Sequence, residues 1–295
     1  MSGSSSASGS RKDVSGSSSA SGSRKDVSGS SSASGSRSAR TRRLDPRAIG
    51  GVLYRERVVF TRYWRSTTFS AVVEPTIFLL AFGFGIGVMV AEVAGMSYLD
   101  FVGTGVVAMA VLFASVFPAM FGTYVKRRYQ HTYDGLLAAP IDVEELVTAE
   151  GVWIGLRSGI YGLAPLGVAV AFGLRPGIGV VAVPLVGIAT GLGFAWLGIA
   201  ISAVVPSIDS FGYIISAVVT PLFLLAGTFF PLENLPDWIA VGARANPLYH
   251  CVELVRGAVF GFSGPGDLWH VLALVVFALL TWVLATVGMR RALID

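Results

Sequence analysis

Charged residues are scarce in this chain of 295 residues. Asp, Glu, Lys and Arg make up 14% of the sequence, against roughly 25% in an ordinary soluble domain, and the mean hydropathy is +0.68. A soluble core of this size would need more polar covering. The composition therefore excludes an ordinary soluble globular protein and predicts an integral membrane protein.

Lysine is rarer still, with three residues in the whole sequence, Lys12, Lys25 and Lys126. A phosphate-binding P-loop needs a Gly-Lys pair followed by Ser or Thr, so that backbone amides and the lysine hold the phosphates. These three lysines follow Arg, Arg and Val. The sequence therefore contains no P-loop, and we expect no ATP hydrolysis by that route.

Cysteine and histidine are too few for the common catalytic and metal sites. The single cysteine, Cys251, excludes a disulfide within the chain. The histidines, His131, His250 and His270, are far apart in sequence, and the adjacent pair His250 and Cys251 has no further ligand at zinc-site spacing. Neither a GxSxG nor an HExxH motif occurs. We therefore expect no metal site and no enzymatic activity.

The sequence does contain long apolar stretches. Six of them reach the length of about 20 residues that a helix needs to cross a bilayer core. They lie at 69–91, 101–124, 152–173, 178–204, 211–230 and 267–288. They are apolar on every face, whereas the strands of a membrane β-barrel alternate apolar and polar residues. We predict an all-α integral membrane protein with six transmembrane helices.

Positive charges are concentrated on one side of these crossings. Of the 22 Lys and Arg residues, 13 precede the first crossing, three lie at 126–128, and two are Arg290 and Arg291. Basic residues near the crossings favour the cytoplasmic side. We therefore expect a multi-pass protein of the inner or plasma membrane with both termini in the cytoplasm.

The region before the first crossing divides into two parts. Residues 1–45 carry repeats of SGSSSASGSRKDV, a composition that cannot bury apolar surface and predicts a disordered cytoplasmic tail. Residues 46–66 place apolar residues at helical spacing among five arginines, which predicts an amphipathic interfacial helix. Within it, Glu56 is expected to pair with a neighbouring arginine. The six-helix membrane domain is predicted at 67–295.

Few ionisable residues lie inside the predicted crossings. Glu74 is in the first crossing and Arg157 in the third, at similar depths from the cytoplasmic side. A charge at such a position is costly unless it has a partner. We therefore predict a buried ion pair between Glu74 and Arg157, with a proton relay as the alternative.

The polar segment between the second and third crossings, KRRYQHTYDGLLAAPIDVEELVTAEGVW, is much longer than a turn requires. A short apolar element stops at Pro140, and Asp142 and Glu145 have the spacing of a capping box at a helix start. We expect a short acidic helix parallel to the membrane. Because the segment is exposed and well specified, we predict that it docks onto another protein, although a purely structural loop stays possible.

This segment and a later one together resemble the type-2 ABC exporter permease family, in the branch of nodulation-factor and daunorubicin-resistance exporters. The two segments are FGTYVKRRYQHTYDGLLAAPIDVEELVTAEGVW and TPLFLLAGTFFPLENLPDWIAVGARANPLYHCVELVRG. The resemblance runs from about residue 48 to the C-terminus. It implies that the loop after the second crossing forms a coupling helix that receives the movement of an ATPase subunit. By resemblance, the contact region contains Tyr129, Thr132, Asp134, Leu136, Pro140, Ile141 and Glu145.

The resemblance also implies partners. The ATPase would be a separate chain that binds ATP and Mg²⁺, while this chain would bind no cofactor of its own. A second copy of this chain, or a related permease, would complete the membrane part among the membrane lipids, and no nucleic-acid partner is expected. The family further implies short re-entrant helices on the outer side, and residues 221–260, where Pro221 and Gly227 would break a simple helix, resemble that arrangement.

The resulting expectation is a permease subunit of an ATP-driven exporter for an amphipathic or hydrophobic substrate, such as a drug, a lipid or a lipid-linked saccharide. Phenylalanines of the first, second and fifth crossings are candidates for an apolar substrate pathway. They are Phe78, Phe82, Phe113, Phe117 and Phe223. Two alternatives stay open, namely a gradient-driven secondary transporter that depends on Glu74 and a membrane-embedded lipid-modifying enzyme.

Overall fold

A computed structural model of the protein describes residues 44–90, 92–93, 95–232, 236–262 and 264–294. Apart from residues 44 and 45, the predicted disordered tail lies outside the described residues. Within the described residues the chain is predominantly α-helical. The α-helices are α1 (Pro46–Leu80), α2 (Tyr98–Phe117), α3 (Thr123–Arg128), α4 (Thr132–Leu137), α5 (Val143–Tyr161), α6 (Leu163–Ala171), α7 (Val183–Val204), α8 (Ser210–Ile214), α9 (Thr220–Leu224), α10 (Asp237–Arg244), α11 (Pro247–Phe260) and α12 (Pro265–Ile294).

Shorter elements extend or connect these helices. Three π-helical segments continue α1, α2 and α8, at Ala81–Ile86, Pro118–Gly122 and Ile215–Val219, and a 3₁₀-helix at Ile178–Ala182 leads into α7. A small antiparallel hairpin, β1 (Glu92–Val93) and β2 (Met96–Ser97), joins the first two long helices, with Glu92 opposite Ser97 and Val93 opposite Met96.

Five helical stretches are long and apolar enough to cross a membrane, which confirms the all-α membrane class. They are Pro46–Ile86, Tyr98–Arg128, Val143–Ala171, Ile178–Val204 and Pro265–Ile294. The predicted crossing at 211–230 is a shorter apolar helix, Ser210–Leu224. The structure therefore gives five candidate crossings among the described residues, and the sixth stays a prediction.

Proline and glycine explain why the stretch at 211–230 does not form one long helix. Pro221 has no amide hydrogen to donate, and a π-helical segment, Ile215–Val219, directly precedes α9, in which it lies. The helix ends at Leu224, and Gly227 takes a φ of 73°, which favours glycine. The chain then forms α10 and α11, the latter capped by the Asn246 side chain, which accepts from the Leu248 amide. The structure therefore has short helices in this region, while their re-entrant placement on the outer side stays a prediction.

The predicted interfacial helix at 46–66 and the first crossing form one continuous helix, α1. Asp45 caps its start by accepting from the Arg47 amide at 2.9 Å, and Pro46 occupies its first turn, where the missing amide hydrogen costs nothing. Val52 and Glu56 are buried. The boundary between an interfacial and a transmembrane part of this helix stays a prediction.

Small residues let α5 and α7 pack closely. A Cβ added at Gly155 would lie 2.9 Å from the backbone nitrogen of Leu192, and one at Gly159 would lie 2.7 Å from that of Ile188. Such close backbone approach is typical of transmembrane helix pairs. Beside this contact, the starts of α1 and α5 and the end of α12 share an apolar cluster that also contains Tyr133 of α4. This cluster supports the candidate site.

Candidate functional site

The short helix α4 occupies the predicted coupling region. His131, just before it, has a φ of 48°, a left-handed conformation that interrupts the helical backbone between α3 and α4. The His131 Nδ1 atom lies 3.0 Å from Oδ2 of Asp134. α4 is therefore a separate helical turn held between α3 and α5.

The structure places the predicted coupling residues in three environments. Tyr129, Asp134 and Pro140 are exposed, with Tyr129 at 62%. Thr132, Leu136 and Ile141 are partly buried. Glu145 is buried, with 3% of its surface exposed. The outer surface of the α4 segment therefore presents some of these side chains to solvent, whereas Glu145 is not available to a partner.

Glu145 has an internal role, of which the capping box was the part predicted from the sequence. Its carboxylate accepts from the Asp142 amide at 3.0 Å, and Asp142 and Glu145 form the predicted capping box. The same carboxylate accepts from the Asp45 amide at 2.8 Å. Glu145 thus ties the start of α1 to the start of α5, and its assignment to the ATPase contact is corrected to a positioning role.

Tyr133 anchors α4 from its inner side. It is 1% exposed, and its hydroxyl donates to the Glu150 carboxylate of α5. Burial, together with the negative charge of Glu150, holds the pKa of Tyr133 well above its usual value. The phenol therefore stays protonated at neutral pH and serves as a hydrogen-bond donor.

A buried network of charges continues from Glu150. The Lys126 Nζ atom lies 2.5 Å from Oε1 of Glu150 and 2.9 Å from Oε1 of Glu56. Arg55 donates to Glu56 at 2.8 Å, which confirms the expected pairing of Glu56 with a neighbouring arginine. Glu56 and Glu150 are 7% and 2% exposed. Carboxylates so deeply buried require cationic partners, and Lys126 serves both of them.

The network joins four elements. Glu56 lies on α1, Lys126 on α3, Tyr133 on α4 and Glu150 on α5. The roles of Lys126 and Glu150 were not predicted from the sequence. The signal available was that Lys126 is the only lysine after residue 25 and that Glu150 lies just before the predicted crossing at 152–173. Spacing alone does not show which helix faces meet.

The start of α5 is also fixed to α7 and α12. Trp196 Nε1 donates to the Val147 carbonyl at 3.2 Å, and Trp282 Nε1 donates to Thr148 at 2.8 Å. Arg290 forms an ion pair with Glu144 at 3.1 Å. The start of α5, which supports α4, is therefore held in place by side chains of α7 and α12.

The five predicted pathway phenylalanines form one series of neighbouring rings. Ring centroids are 6.0 Å apart for Phe82 and Phe78, 6.4 Å for Phe78 and Phe223, 5.5 Å for Phe223 and Phe113, and 5.3 Å for Phe113 and Phe117. All five side chains are partly buried and pack against the main apolar core. The structure therefore brings the predicted set together, while its role as a pathway stays a prediction.

The series is longer than predicted. Phe229 lies 4.4 Å from Phe82, and at the other end Phe121 continues from Phe117 at 6.5 Å and contacts Phe211 at 4.7 Å. Spacing of four residues from Phe113 to Phe117 to Phe121 was the available signal, since such residues share one helix face. The aromatic series thus extends along the second candidate crossing.

The predicted buried pair of Glu74 and Arg157 is wrong. Glu74 is exposed. The Arg157 guanidinium instead lies 5.9 Å from the ring centres of both Phe60 and Tyr161. No ion pair joins Arg157 to any residue of the described part of the chain. The premise of similar depth fails, because Arg157 lies level with Phe60, and Glu74 is about four helical turns, roughly 20 Å, further along the continuous helix α1.

Comparison with known proteins agrees with the helical architecture. The family described as ABC-2 type transporter matches residues 47–260. Nodulation protein J of Rhizobium leguminosarum bv. trifolii is 32% identical over 222 residues, which cover 75% of this chain and 84% of that protein. The inner membrane transport permease YadH of Escherichia coli K12 is 28% identical over 254 residues, which cover 82% of this chain and 95% of that protein.

The family match covers the aromatic series, the α4 segment and the charge network that supports it. Members of this family are membrane-spanning transport subunits, in agreement with the five candidate crossings. The chain belongs to the ABC-2 type transporter family.

Proposed function

We propose that this chain is the permease subunit of an ATP-driven exporter, that it pairs with a second copy of itself or a related permease, and that a separate ABC ATPase docks on α4. The family and its relatives support the permease assignment. The observation that carries the docking site is the arrangement of α4, whose outer surface is exposed while Tyr133 holds its inner side to a buried charge network.

This arrangement is suited to transmitting force. A partner that moves the exposed surface of α4 also displaces Tyr133, and through Glu150 and Lys126 it acts on α5 and α1. Because the buried charges cannot separate without a large energetic cost, the four helices move as a unit. A movement of the ATPase would therefore tilt the first and third candidate crossings together, as alternating access requires.

The aromatic series supports an amphipathic or hydrophobic cargo. The five rings predicted from the sequence are partly buried and lie on α1 and its π-helical continuation, on α2 and on α9. A pathway lined by aromatic side chains offers apolar contact without fixed polar partners. A drug, a lipid or a lipid-linked saccharide fits such a surface, and we propose export as the direction, with both termini in the cytoplasm.

Co-purification from the native host tests this proposal. The full chain, extracted in mild detergent, is expected to retain an ATPase chain with a P-loop in stoichiometric amount, identified by mass spectrometry. Replacing Asp134 by Arg on the exposed surface of α4 is expected to remove that chain from the complex. Asp134 is exposed, and its side chain contacts only its neighbour His131 among the described ion pairs, so the fold should be preserved.

A matched control uses an exposed aspartate at the start of another helix. Asp237→Arg places the same charge change at the exposed first residue of α10, away from α4, and is expected to leave the ATPase bound. Recovery of the permease without an ATPase under several gentle conditions would contradict the proposal. Gradient-driven transport and lipid turnover by the purified chain would then be measured.

A further inference from the structure

Arg157 is a partly buried cation that forms no ion pair within the described part of the chain. It lies within α5, its Nε atom is inaccessible, and this atom has no hydrogen-bond partner in the described part of the chain. Arginine keeps its charge in proteins. The chain therefore maintains a guanidinium charge inside a candidate membrane-spanning helix.

Aromatic and neutral polar side chains surround this charge. The guanidinium lies 5.9 Å from the rings of Phe60 on α1 and Tyr161 on α5. Trp153 packs edge-on against Phe60 at 5.7 Å, and the Tyr161 hydroxyl is hydrogen-bonded to Thr68 at 3.0 Å. These contacts fix the position of Arg157 between α1 and α5 but supply no negative charge.

The aromatic contacts do not offset the cost of burying the charge. A cation above an aromatic ring gains less free energy than the burial of an unpaired ion costs. The carboxylate whose charge acts on Arg157 is Glu56, and that carboxylate already binds Lys126 and Arg55. An anion from outside the chain would supply the missing partner.

Arg157 lies at the membrane depth expected of a lipid phosphate. It lies about two helical turns, roughly 10 Å, beyond Glu150 of the charge network, and its contact Phe60 is one turn before Trp64 on α1. Trp64 is 48% exposed, as expected of a tryptophan at the headgroup level. Arg157 therefore lies close to the membrane interface on the side of Lys126.

The surface beside Arg157 is open to acyl chains. The neighbouring residues of α5, Leu156 and Ile160, are 41% and 61% exposed. The two terminal Nη groups of Arg157 are not among the inaccessible atoms and form no hydrogen bond with the described residues. A guanidinium can bind a phosphate through two such parallel bonds. The site thus combines a phosphate-binding group with an adjacent apolar surface.

We propose that Arg157 binds the phosphate of an anionic amphiphile in the leaflet on the side of Lys126, between α1 and α5. The amphiphile is either a phospholipid of the membrane or a phosphate-bearing substrate of the permease, since both present the same chemistry. The binding step itself does not require the ATPase.

Lipid binding by the full chain tests this site. Delipidated protein in detergent is titrated with phosphatidylglycerol, or with phosphatidylcholine of the same acyl chains, and bound lipids are counted by native mass spectrometry. The wild-type chain is expected to bind phosphatidylglycerol preferentially. Arg157→Gln is expected to weaken that binding by about tenfold or more, since a charge-assisted hydrogen bond contributes roughly 1.5–3 kcal/mol.

Two further variants make the result specific. Arg65→Gln removes an exposed arginine of α1 that lies over Trp64, and is expected to leave the preference unchanged. Arg157→Lys keeps the charge but not the two parallel bonds, and is expected to weaken binding severalfold. This variant still tests the site if Arg157→Gln does not fold. An equal loss in Arg65→Gln and Arg157→Gln, or binding without headgroup preference, would overturn the proposal.

The source of the phosphate is identified separately. Amphiphiles that remain bound to wild-type protein after extraction from native membranes are compared with those bound to Arg157→Gln. Depletion of a phospholipid in the variant assigns the site to the membrane, and depletion of another phosphate-bearing amphiphile assigns it to the substrate. Identical bound amphiphiles in both proteins would contradict the proposal.

Discussion

At the residue scale, Lys126 contributes more to the stability of the fold than its partial exposure suggests. It is the cation shared by Glu56 and Glu150, both nearly inaccessible to solvent. Replacing Lys126 by Met would leave two buried carboxylates without that charge. Because removing one partner of a buried ion pair costs about 3–5 kcal/mol, we expect a loss of that order in the free energy of unfolding.

Thermal unfolding in detergent, supported by denaturant titration, measures this effect. Arg128→Met is the matched control, since Arg128 lies two residues further along α3 and is exposed. Its replacement is expected to change stability little. Equal stability of the Lys126 and Arg128 variants would show that the network contributes nothing to holding α1, α3 and α5 together.

Tyr133 provides a second test with a defined pH dependence. Tyr133→Phe removes one donor to Glu150 and is expected to cost about 1–3 kcal/mol, because a buried acceptor loses one of its partners. The folded-state pKa of Tyr133 is raised, so protonated Tyr133 stabilises the fold below the unfolded pKa of about 10 and this contribution is lost as pH rises through the folded value.

Wild-type protein is therefore expected to lose stability above pH ~10 more steeply than Tyr133→Phe. Unfolding temperatures measured across this range compare the two proteins. Tyr129→Phe, which alters an exposed tyrosine of the same segment, is expected to follow the wild type. Parallel pH curves for wild type and Tyr133→Phe would be inconsistent with a buried donor at this position.

Residue roles could be predicted where local spacing determines them. The capping box of Asp142 and Glu145 follows from residues three apart, and the ring series follows in part from phenylalanines four apart. The pairing of Arg157 was mispredicted, and the contacts of Lys126 were missed. Those partners depend on which faces of distant helices meet, and a single sequence does not contain that information.

At the element scale, the close contact of α5 and α7 is open to a direct test. Gly155→Leu would place a side chain against the backbone of α7. Its Cβ atom alone would lie 2.9 Å from the backbone nitrogen of Leu192. Overpacking typically costs about 1–3 kcal/mol and occasionally more, and here the obstacle is backbone. We expect a lower unfolding temperature and less monodisperse protein in size-exclusion chromatography.

Gly167→Leu is the control for this substitution. Gly167, on α6, is exposed, and a Cβ added there meets no atom within 4 Å. The same increase in apolar volume is therefore expected to leave stability and elution unchanged. If both glycine variants behaved like the wild type, α5 and α7 would not be packed through their glycines.

Helix existence was easier to predict than helix extent. The apolar run at 211–230 is long enough to cross a membrane, yet its helix ends at Leu224 and the backbone turns at Gly227. Hydropathy counts apolar residues whether or not the backbone is helical. Pro221 and Gly227 were the better guides, because they restrict the backbone itself.

At the scale of the whole molecule, α4 and α10 are predicted to face opposite sides of the membrane. The chain suits cysteine labelling, since burial raises the pKa of its only thiol, Cys251, to about 12 and leaves it unreactive. In intact cells, an impermeant maleimide is expected to label Trp238→Cys on exposed α10 but not Gln130→Cys beside α4.

Permeabilised cells complete this test, because Gln130→Cys should then become labelled. Wild-type protein, carried through both conditions, gives the background from Cys251. Labelling of both introduced cysteines in intact cells would contradict the predicted orientation and would place α4 out of reach of a cytoplasmic ATPase.

The central claim is that the exposed surface of α4 contacts an ATPase, and photo-crosslinking in living cells tests it most directly. A photoreactive amino acid replaces Tyr129, which is 62% exposed beside α4, or Trp238 on α10 as control. We predict a crosslink from position 129, and not from 238, to a chain that contains a P-loop. Absence of that crosslink at 129 and at the other exposed positions of α4, in cells where the transporter is active, would contradict the claim.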